Sequence, residues 1–135
     1  MHSPRPTIRR ARLSDVRSIH ALVLEATQRG KILKRSVADI RKNIRHFWAV
    51  EEEGRVIACC SLEIYNKKLA EVRSLVVETR KQRKGLATRL LEHCVREAKR
   101  NKIYEVLAIT DRENIFRRMG FSEQLHGQKA LFLRP

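Results

Sequence analysis

Apolar residues along this chain keep two rhythms, and the switching between them sets the order of its elements. Short apolar and β-branched runs bounded by polar or glycine positions predict strands at Thr7 to Ala11, Phe47 to Val50, Val56 to Leu62, Leu69 to Val77 and Ile103 to Ile109. Helical spacing appears between them. Val16, Ile19, Val23 and Ala26 share one face of a helix that Ser14 can cap and that ends near Gly30. Ser36 can cap a second helix, with Val37, Ile40 and Ile44 inward. The clearest periodicity is Leu86, Leu90, Leu91, Cys94, Val95 and Ala98, with Arg89, Glu92, Arg96 and Lys99 facing out. Asp111 can cap a short helix bearing Ile115, Phe116 and Met119, which Gly120 ends. Phe121 to Leu125 and Lys129 to Leu133 then read as two closing strands. Glu53-Gly54 is a tight hairpin turn between two of the strands. The order β-α-α-β-β-β-α-β-α-β-β predicts a mixed α/β sheet with helices on both faces, neither doubly wound nor all-β. No repeat, low-complexity tract or linker divides the 135 residues, so residues 1–135 are expected to form a single domain.

Composition narrows the class. Hydrophobic residues make up 42% of the chain, yet no apolar run approaches the roughly 18–20 residues of a membrane span. Met1 to Pro6 lacks the apolar stretch of a secretory signal. Cys59, Cys60 and Cys94 have no metal-ligand spacing, and a disulfide between the adjacent pair would be strained. Reduced thiols in a cytoplasmic protein, with no metal, are therefore expected. The formal net charge of +15 suits a polyanionic partner. However, the basic residues are scattered, and no aromatic residues interleave with the run near Lys84 as stacking platforms would require. A phosphate-rich cofactor with an acidic substrate exploits the same field. A basic module that binds nucleic acid without catalysis is the rival reading, and nucleic acid is not the expected partner.

The segment Gln82-Arg83-Lys84-Gly85-Leu86-Ala87 gives this field a focus. It lies between the apolar Leu75-Val76-Val77 and the clearest helix. The first N–H groups of a helix have no partner inside it and carry the positive end of its dipole. Small residues at the start let a pyrophosphate approach the backbone. The plain alternative is an ordinary strand-to-helix connection.

With that motif in place, the chain resembles the GNAT superfamily of acetyl-CoA-dependent N-acetyltransferases over essentially its whole length. The superfamily signature Gln/Arg-x-x-Gly-x-Gly/Ala is matched by Gln82, Gly85 and Ala87, with Arg83 where the family often has glycine. Asn114 to Phe121 is similar to the family's helix ending in Gly-Phe. The resemblance implies a GNAT fold, a mixed central sheet of about 6–7 strands flanked by about four helices. It implies acetyl-CoA as cosubstrate, with the backbone of Leu75, Val76 and Val77 pairing with the pantetheine arm as an added strand would. The pyrophosphate would lie on the N–H groups of Arg83, Lys84, Gly85, Leu86, Ala87 and Thr88, with Arg80 and Lys81 near enough to help. Glu71 falls where several members carry a catalytic glutamate, able to take the amine proton directly or through water. It also reads as a strand charge paired with Arg73, and Glu63 is a second candidate base. The family's acid tyrosine is replaced by Phe116. Tyr65 and Tyr104 are the tyrosines that remain.

Within the superfamily, the chain is similar to the bacterial N-acetylglutamate synthase type. Three segments carry this: Gly30 to Ser36 (Gly-Lys-Ile-Leu-Lys-Arg-Ser), Ala58 to Leu62, and Leu69-Ala70-Glu71-Val72-Arg73-Ser74-Leu75-Val76-Val77. The likeness implies that Arg35 forks onto an amino acid's α-carboxylate, helped by the backbone of Leu33 and Cys59. It implies acetylation of a primary amine, such as the α-amine of glutamate, in amino-acid and arginine biosynthesis. Homodimers are common in the superfamily, so a homodimer is allowed. The group's longer C-terminal segment, which grips the side-chain carboxylate, has no match in Ser122 to Pro135.

Overall fold

The computed structural model describes residues 5–30 and 32–135. Met1 to Pro4 and Lys31, within the Gly30–Ser36 link, lie outside the described residues. Five strands form the central sheet: β1 (Thr7–Arg10), β2 (Phe47–Glu52), β3 (Arg55–Ile64), β4 (Leu69–Val77) and β5 (Glu105–Ala108). They lie in sequence order, antiparallel except for the β4–β5 pair, which is parallel. A β4–β5 crossover must carry the chain over one face of the sheet. Helix α3 (Leu86–Arg100) does so. Helices α1 (Val16–Gln28) and α2 (Val37–Lys42) cover the other face, and α4 (Glu113–Arg118) comes after β5. The mixed α/β order expected from the sequence is thus the order observed.

Two apolar layers hold the helices to the sheet. On one face, Cys60, Leu62, Ala70, Val72 and Val77 meet Leu86, Leu90, Leu91 and Cys94 of α3 and Phe116 of α4. On the other, Phe47, Ala49, Cys59 and Val76 meet Val16, Ile19, Leu22 and Val23 of α1 and Ile40 of α2. Each fully buried Leu or Ile contributes about 1.5–3 kcal/mol. Glu53 and Gly54 both take positive φ (53° and 75°), the geometry of a tight hairpin turn.

Three local expectations are corrected. Ser14 does not cap α1. It sits in a 3₁₀ turn, Leu13–Asp15, and the buried Asp15 instead accepts the Arg12 N–H at 2.7 Å and pairs with Arg9 at 2.7 Å. Asp111 does not cap α4, whose first turn has no side-chain cap; the Thr110 hydroxyl accepts the Arg112 N–H just before it. The closing strands shrink to β6 (Gln124–Leu125) and β7 (Gln128–Lys129), paired with each other and separate from the central sheet. Residues 130–135 carry no regular structure, and Leu131, Phe132 and Leu133 are exposed. Two-residue strands have no apolar face to bury, so they cannot extend a sheet by themselves. Ser36 does cap α2, accepting the Asp39 N–H at 3.0 Å.

One irregularity interrupts β4. Ser61 faces Arg73 and Cys59 faces Val76, so Cys60 alone stands against Ser74 and Leu75. This is a β-bulge, with Ser74 at φ 55° as the extra residue. The bulge reverses the phase of the strand. Before it, Val72 packs toward α3; after it, Val76 packs toward α1.

Candidate active site

Two parallel strands that separate leave a gap with hydrogen-bonding walls. β4 pairs with β5 only from Leu69 to Val72, opposite Glu105 to Ala108. β4 then runs on to Val77, still paired with β3 on its other side. From Arg73 to Val77, the edge turned toward β5 has no ladder partner among the described residues. An unpaired strand edge is a template for another extended chain. A cavity of about 480 Å³ opens along it, lined by Glu71 to Glu78, by Leu22, Ala26, Arg29, Ile32 and Leu33 from the α1–α2 side, and by Ile109 to Arg112 and Phe116.

The second half of the cleft is built by the loop into α3. Arg83 and Gly85 both take positive φ (66° and 78°), curling the chain so that α3 begins at Leu86. Gln82 ties the loop back to the strand, its side-chain amide donating to the Val77 carbonyl at 3.1 Å. The Gly85 carbonyl accepts the Arg89 N–H at 3.1 Å. The N–H groups of Leu86, Ala87 and Thr88 therefore precede the first bond of the helix and are open to an anion. A cavity of about 400 Å³ covers them, lined by Val77, Lys81 to Arg83, Gly85 to Thr88, Arg112, Ile115 and Arg118. Val77, Gln82 and Arg112 wall both cavities, so strand edge and helix terminus form one elongated cleft. This shape and polarity fit a long ligand with a peptide-like arm and a phosphate end.

At the other end of the strand edge lies a cluster of charges. Glu71 is half-buried in the cavity wall, and one of its oxygens accepts the Tyr65 hydroxyl at 2.6 Å. Burial, and then this bond to a carboxylate, push the Tyr65 phenol up to about 12, so it stays a neutral donor throughout the neutral range. Arg73 pairs not with Glu71 but with Glu63, across the sheet at 2.7 Å. Burial works against the Arg73 charge, and Glu63 together with Glu71 outweighs it, so its pKa ends above the usual arginine value. Glu63, itself buried, gives its other oxygen to Arg35 at 2.8 Å. Arg35 is the best-shielded member. Its Nε and Nη2 bond the two oxygens of Asp39, and its Nη1 donates to the Ser74 hydroxyl at 3.1 Å. The guanidinium lies 5.2 Å from the centre of the Phe47 ring. The Arg35 bond holds Asp39 below the usual carboxylate range.

Glu71, Leu75, Val76, Val77, Gln82 and Leu33 line the larger cavity, and Gln82, Arg83, Gly85, Leu86, Ala87 and Thr88 line the smaller one. Lys84 lines neither and is exposed. Lys81 reaches Glu52 at 2.6 Å. Arg35 and Cys59 stand behind the cavity wall rather than in it. Cys59 is buried between β2 and β4, its thiol donating to the Ser74 carbonyl at 3.4 Å and pushed up to about 12 by burial. Cys60 and Cys94 touch across the sheet–helix layer, and their contact and burial raise the Cys60 thiol well above its usual value. All three cysteines are buried, which keeps their thiols from serving as nucleophiles. Sequence reasoning passed over Arg112 and Arg29, which reach the cleft only because β5 and α1 bring them there. Among the described residues no metal-holding cluster occurs, and no helix is long and apolar enough to cross a membrane.

Known proteins share both the sequence pattern and this architecture. The sequence profile described as the Acetyltransferase (GNAT) family matches residues 13–121. An uncharacterized N-acetyltransferase of Chlorobaculum tepidum is 36% identical over 116 residues, covering 86% of this chain and 75% of that protein. An amino-acid acetyltransferase of Mycobacterium tuberculosis is 30% identical over 123 residues, covering 88% of this chain and 70% of that one. Among solved structures, a Mycobacterium tuberculosis protein crystallised in complex with CoA superposes with a TM-score of 0.83 at 25% identity, covering 88% of this chain and 73% of the other.

Proposed function

The chain belongs to the acetyltransferase (GNAT) family, and on that premise we propose that it acetylates the α-amine of an amino acid, glutamate being the first to test. Acetyl-CoA is the family's cosubstrate and supplies the acetyl group as a thioester. The open edge of β4 suits the amide-bearing pantetheine arm, and the N–H groups of Leu86, Ala87 and Thr88 suit the pyrophosphate. The observation that carries the reading is the position of Glu71. It stands where the strand edge begins, in the cavity wall, with one oxygen held by Tyr65 and no bond to Arg73.

In this reading Glu71 accepts the proton that the amine loses as its nitrogen attacks the thioester carbon, and the sulfur departs with the bonding electrons. The attack is direct, because the buried thiols give no nucleophile for an acyl-enzyme. The relative from Mycobacterium tuberculosis, an amino-acid acetyltransferase, supports an amino acid as acceptor. Glutamate would put the reaction in arginine biosynthesis.

A panel of amines tests this. Glutamate, aspartate, other amino acids, polyamines and basic peptides are each supplied with acetyl-CoA, and free CoA is measured. Turnover is expected to be highest with an amino acid; turnover confined to polyamines or peptides would overturn the substrate assignment. Acetyl-CoA alone, at about 100 times its Kd, should stabilise the fold by about 2.7 kcal/mol in a thermal melt.

Tyr65 has a predictable part in the same site. Tyr65→Phe removes a hydrogen bond to a charged group, worth roughly 1.5–3 kcal/mol. A kcat lowered about tenfold at unchanged KM for acetyl-CoA is expected. A change confined to that KM would instead put Tyr65 on the cofactor.

A further inference from the structure

Resting on the assignment of an amino acid as acceptor, we propose that Arg73, not Arg35, is the residue that meets the substrate's α-carboxylate, with Glu63 and Arg35 as its buried supports. Arg35 has little left to give a ligand. Its side chain is only 1% exposed, and Nε, Nη1 and Nη2 are all engaged, by Asp39, Ser74 and Glu63. A substrate carboxylate could fork onto it only by displacing Asp39 or Glu63 and entering a closed space. Stripping the partner from a buried charge is among the costlier changes a fold can undergo.

Arg73 is placed differently. Its side chain is 31% exposed and it lines the larger cavity. Its hydrogen bond is a single one, Nη1 to the second Glu63 oxygen at 2.7 Å. That leaves the edge formed by Nε and Nη2 for a carboxylate, the bidentate geometry in which guanidinium binds best. Glu63 cannot turn away, because its first oxygen is fixed by Arg35. The buried chain Arg35–Glu63–Arg73 therefore sets the direction of the Arg73 fork.

The spacing along β4 suits the same substrate. Glu71 and Arg73 are alternate residues of one strand and share a face, about 6.6 Å apart along it. Val72 between them packs into the α3 layer on the opposite face. An α-amino acid carries its amine and carboxylate on one carbon, so a base and a guanidinium at this separation can take the two groups together. The groups facing this point are Glu71 and Arg73 of β4, Glu63 of β3, Tyr65 just beyond it, and Arg35 and Asp39 from the α2 side. Tyr65 satisfies Glu71 without neutralising it, so Glu71 does not consume the Arg73 fork. Of the other cations in the wall, Arg29 is paired with Glu25, and Arg112 also walls the cavity at the start of α3.

The test compares kcat/KM for the amino acid selected by the panel with that for its α-carboxamide, in which the amine is kept and the carboxylate charge removed. Wild type should prefer the amino acid. Arg73→Met, which keeps the aliphatic stem, should lower that preference by roughly thirtyfold or more, with a smaller loss of Tm than Arg35→Met because Glu63 keeps its Arg35 bond, and Arg73→Lys should restore part of it. Arg35→Met, which frees Glu63 and so loosens the Arg73 fork without removing it, should lower Tm by several degrees and lower the preference by less than Arg73→Met does. A preference unaltered in Arg73→Met would overturn the proposal while leaving an amino acid as substrate. A preference that falls further in Arg35→Met than in Arg73→Met would overturn it in favour of Arg35. A wild type that acetylates the carboxamide equally well would overturn the amino-acid reading itself, and this proposal with it.

Discussion

Glu71→Gln is expected to lower kcat at neutral pH by about 10²–10⁴-fold, the span typical of a lost general base. The amide is nearly isosteric and can still accept the Tyr65 hydroxyl, so the cavity wall should keep its shape. What disappears is the oxygen proposed to take a proton from the amine. Acetyl-CoA affinity, which the proposed binding mode assigns to the strand edge and the helix terminus, should stay within about twofold. The deficit should also shrink as pH climbs toward the range where the free amine deprotonates unaided. An undiminished kcat in Glu71→Gln would move the base elsewhere. Glu63 would be a poor heir, since both its oxygens are committed to arginines.

The second large effect is expected at Gly85. A side chain there would meet open space, since no atom lies within 4 Å of a Cβ built at that position. The constraint is conformational, because φ is 78° and an L-residue other than Asn or Asp is disfavoured by about 1–2 kcal/mol in that region. Aspartate is among the L-residues least strained there, so Gly85→Asp should cost the fold no more than about 1 kcal/mol. Aspartate also adds a carboxylate at the N-terminal end of α3, where negative charge is favourable. The same carboxylate would occupy the space over the N–H groups of Leu86, Ala87 and Thr88. Two unit charges at 4 Å repel by about 4 kcal/mol at an effective dielectric of 20. Acetyl-CoA affinity should thus fall by a hundredfold or more, with Tm of the free protein little changed. Calorimetric titration reads the first quantity and a melt without ligand the second. Retained affinity would mean the pyrophosphate does not sit on this helix terminus.

Much of the fold was legible because local pattern and tertiary need agree. Leu86 to Ala98 keeps helical spacing and is buried on that face, and Leu69 to Val77 has the bounds the sequence predicts. The Ser74 bulge was not legible. In Leu-Val-Val after Ser74, every residue is apolar, so a one-residue phase slip leaves no trace in the pattern. Yet that slip decides which residues face α1 and which face α3. Arg35 was read from its neighbours in sequence, while its environment is made by Glu63 and Phe47, far along the chain. Likewise, Arg73 reads as a partner for Glu71 because they are close on one strand. The cross-strand Glu63, directly reachable in the sheet, takes it instead. Pairings between strands are absent from any single stretch of sequence, and it is such pairings that set the charges around this cleft.

The unpaired edge of β4 has a consequence for handling the protein as well as for its chemistry. Without a ligand, the β5-side edge from Arg73 to Val77 has no ladder partner among the described residues, and an extended segment can add there, including one from a neighbouring molecule. In the proposed binding mode the pantetheine arm covers that edge and closes the sheet. The cosubstrate would then also guard against self-association, and a concentrated sample is expected to aggregate less with CoA present than without it.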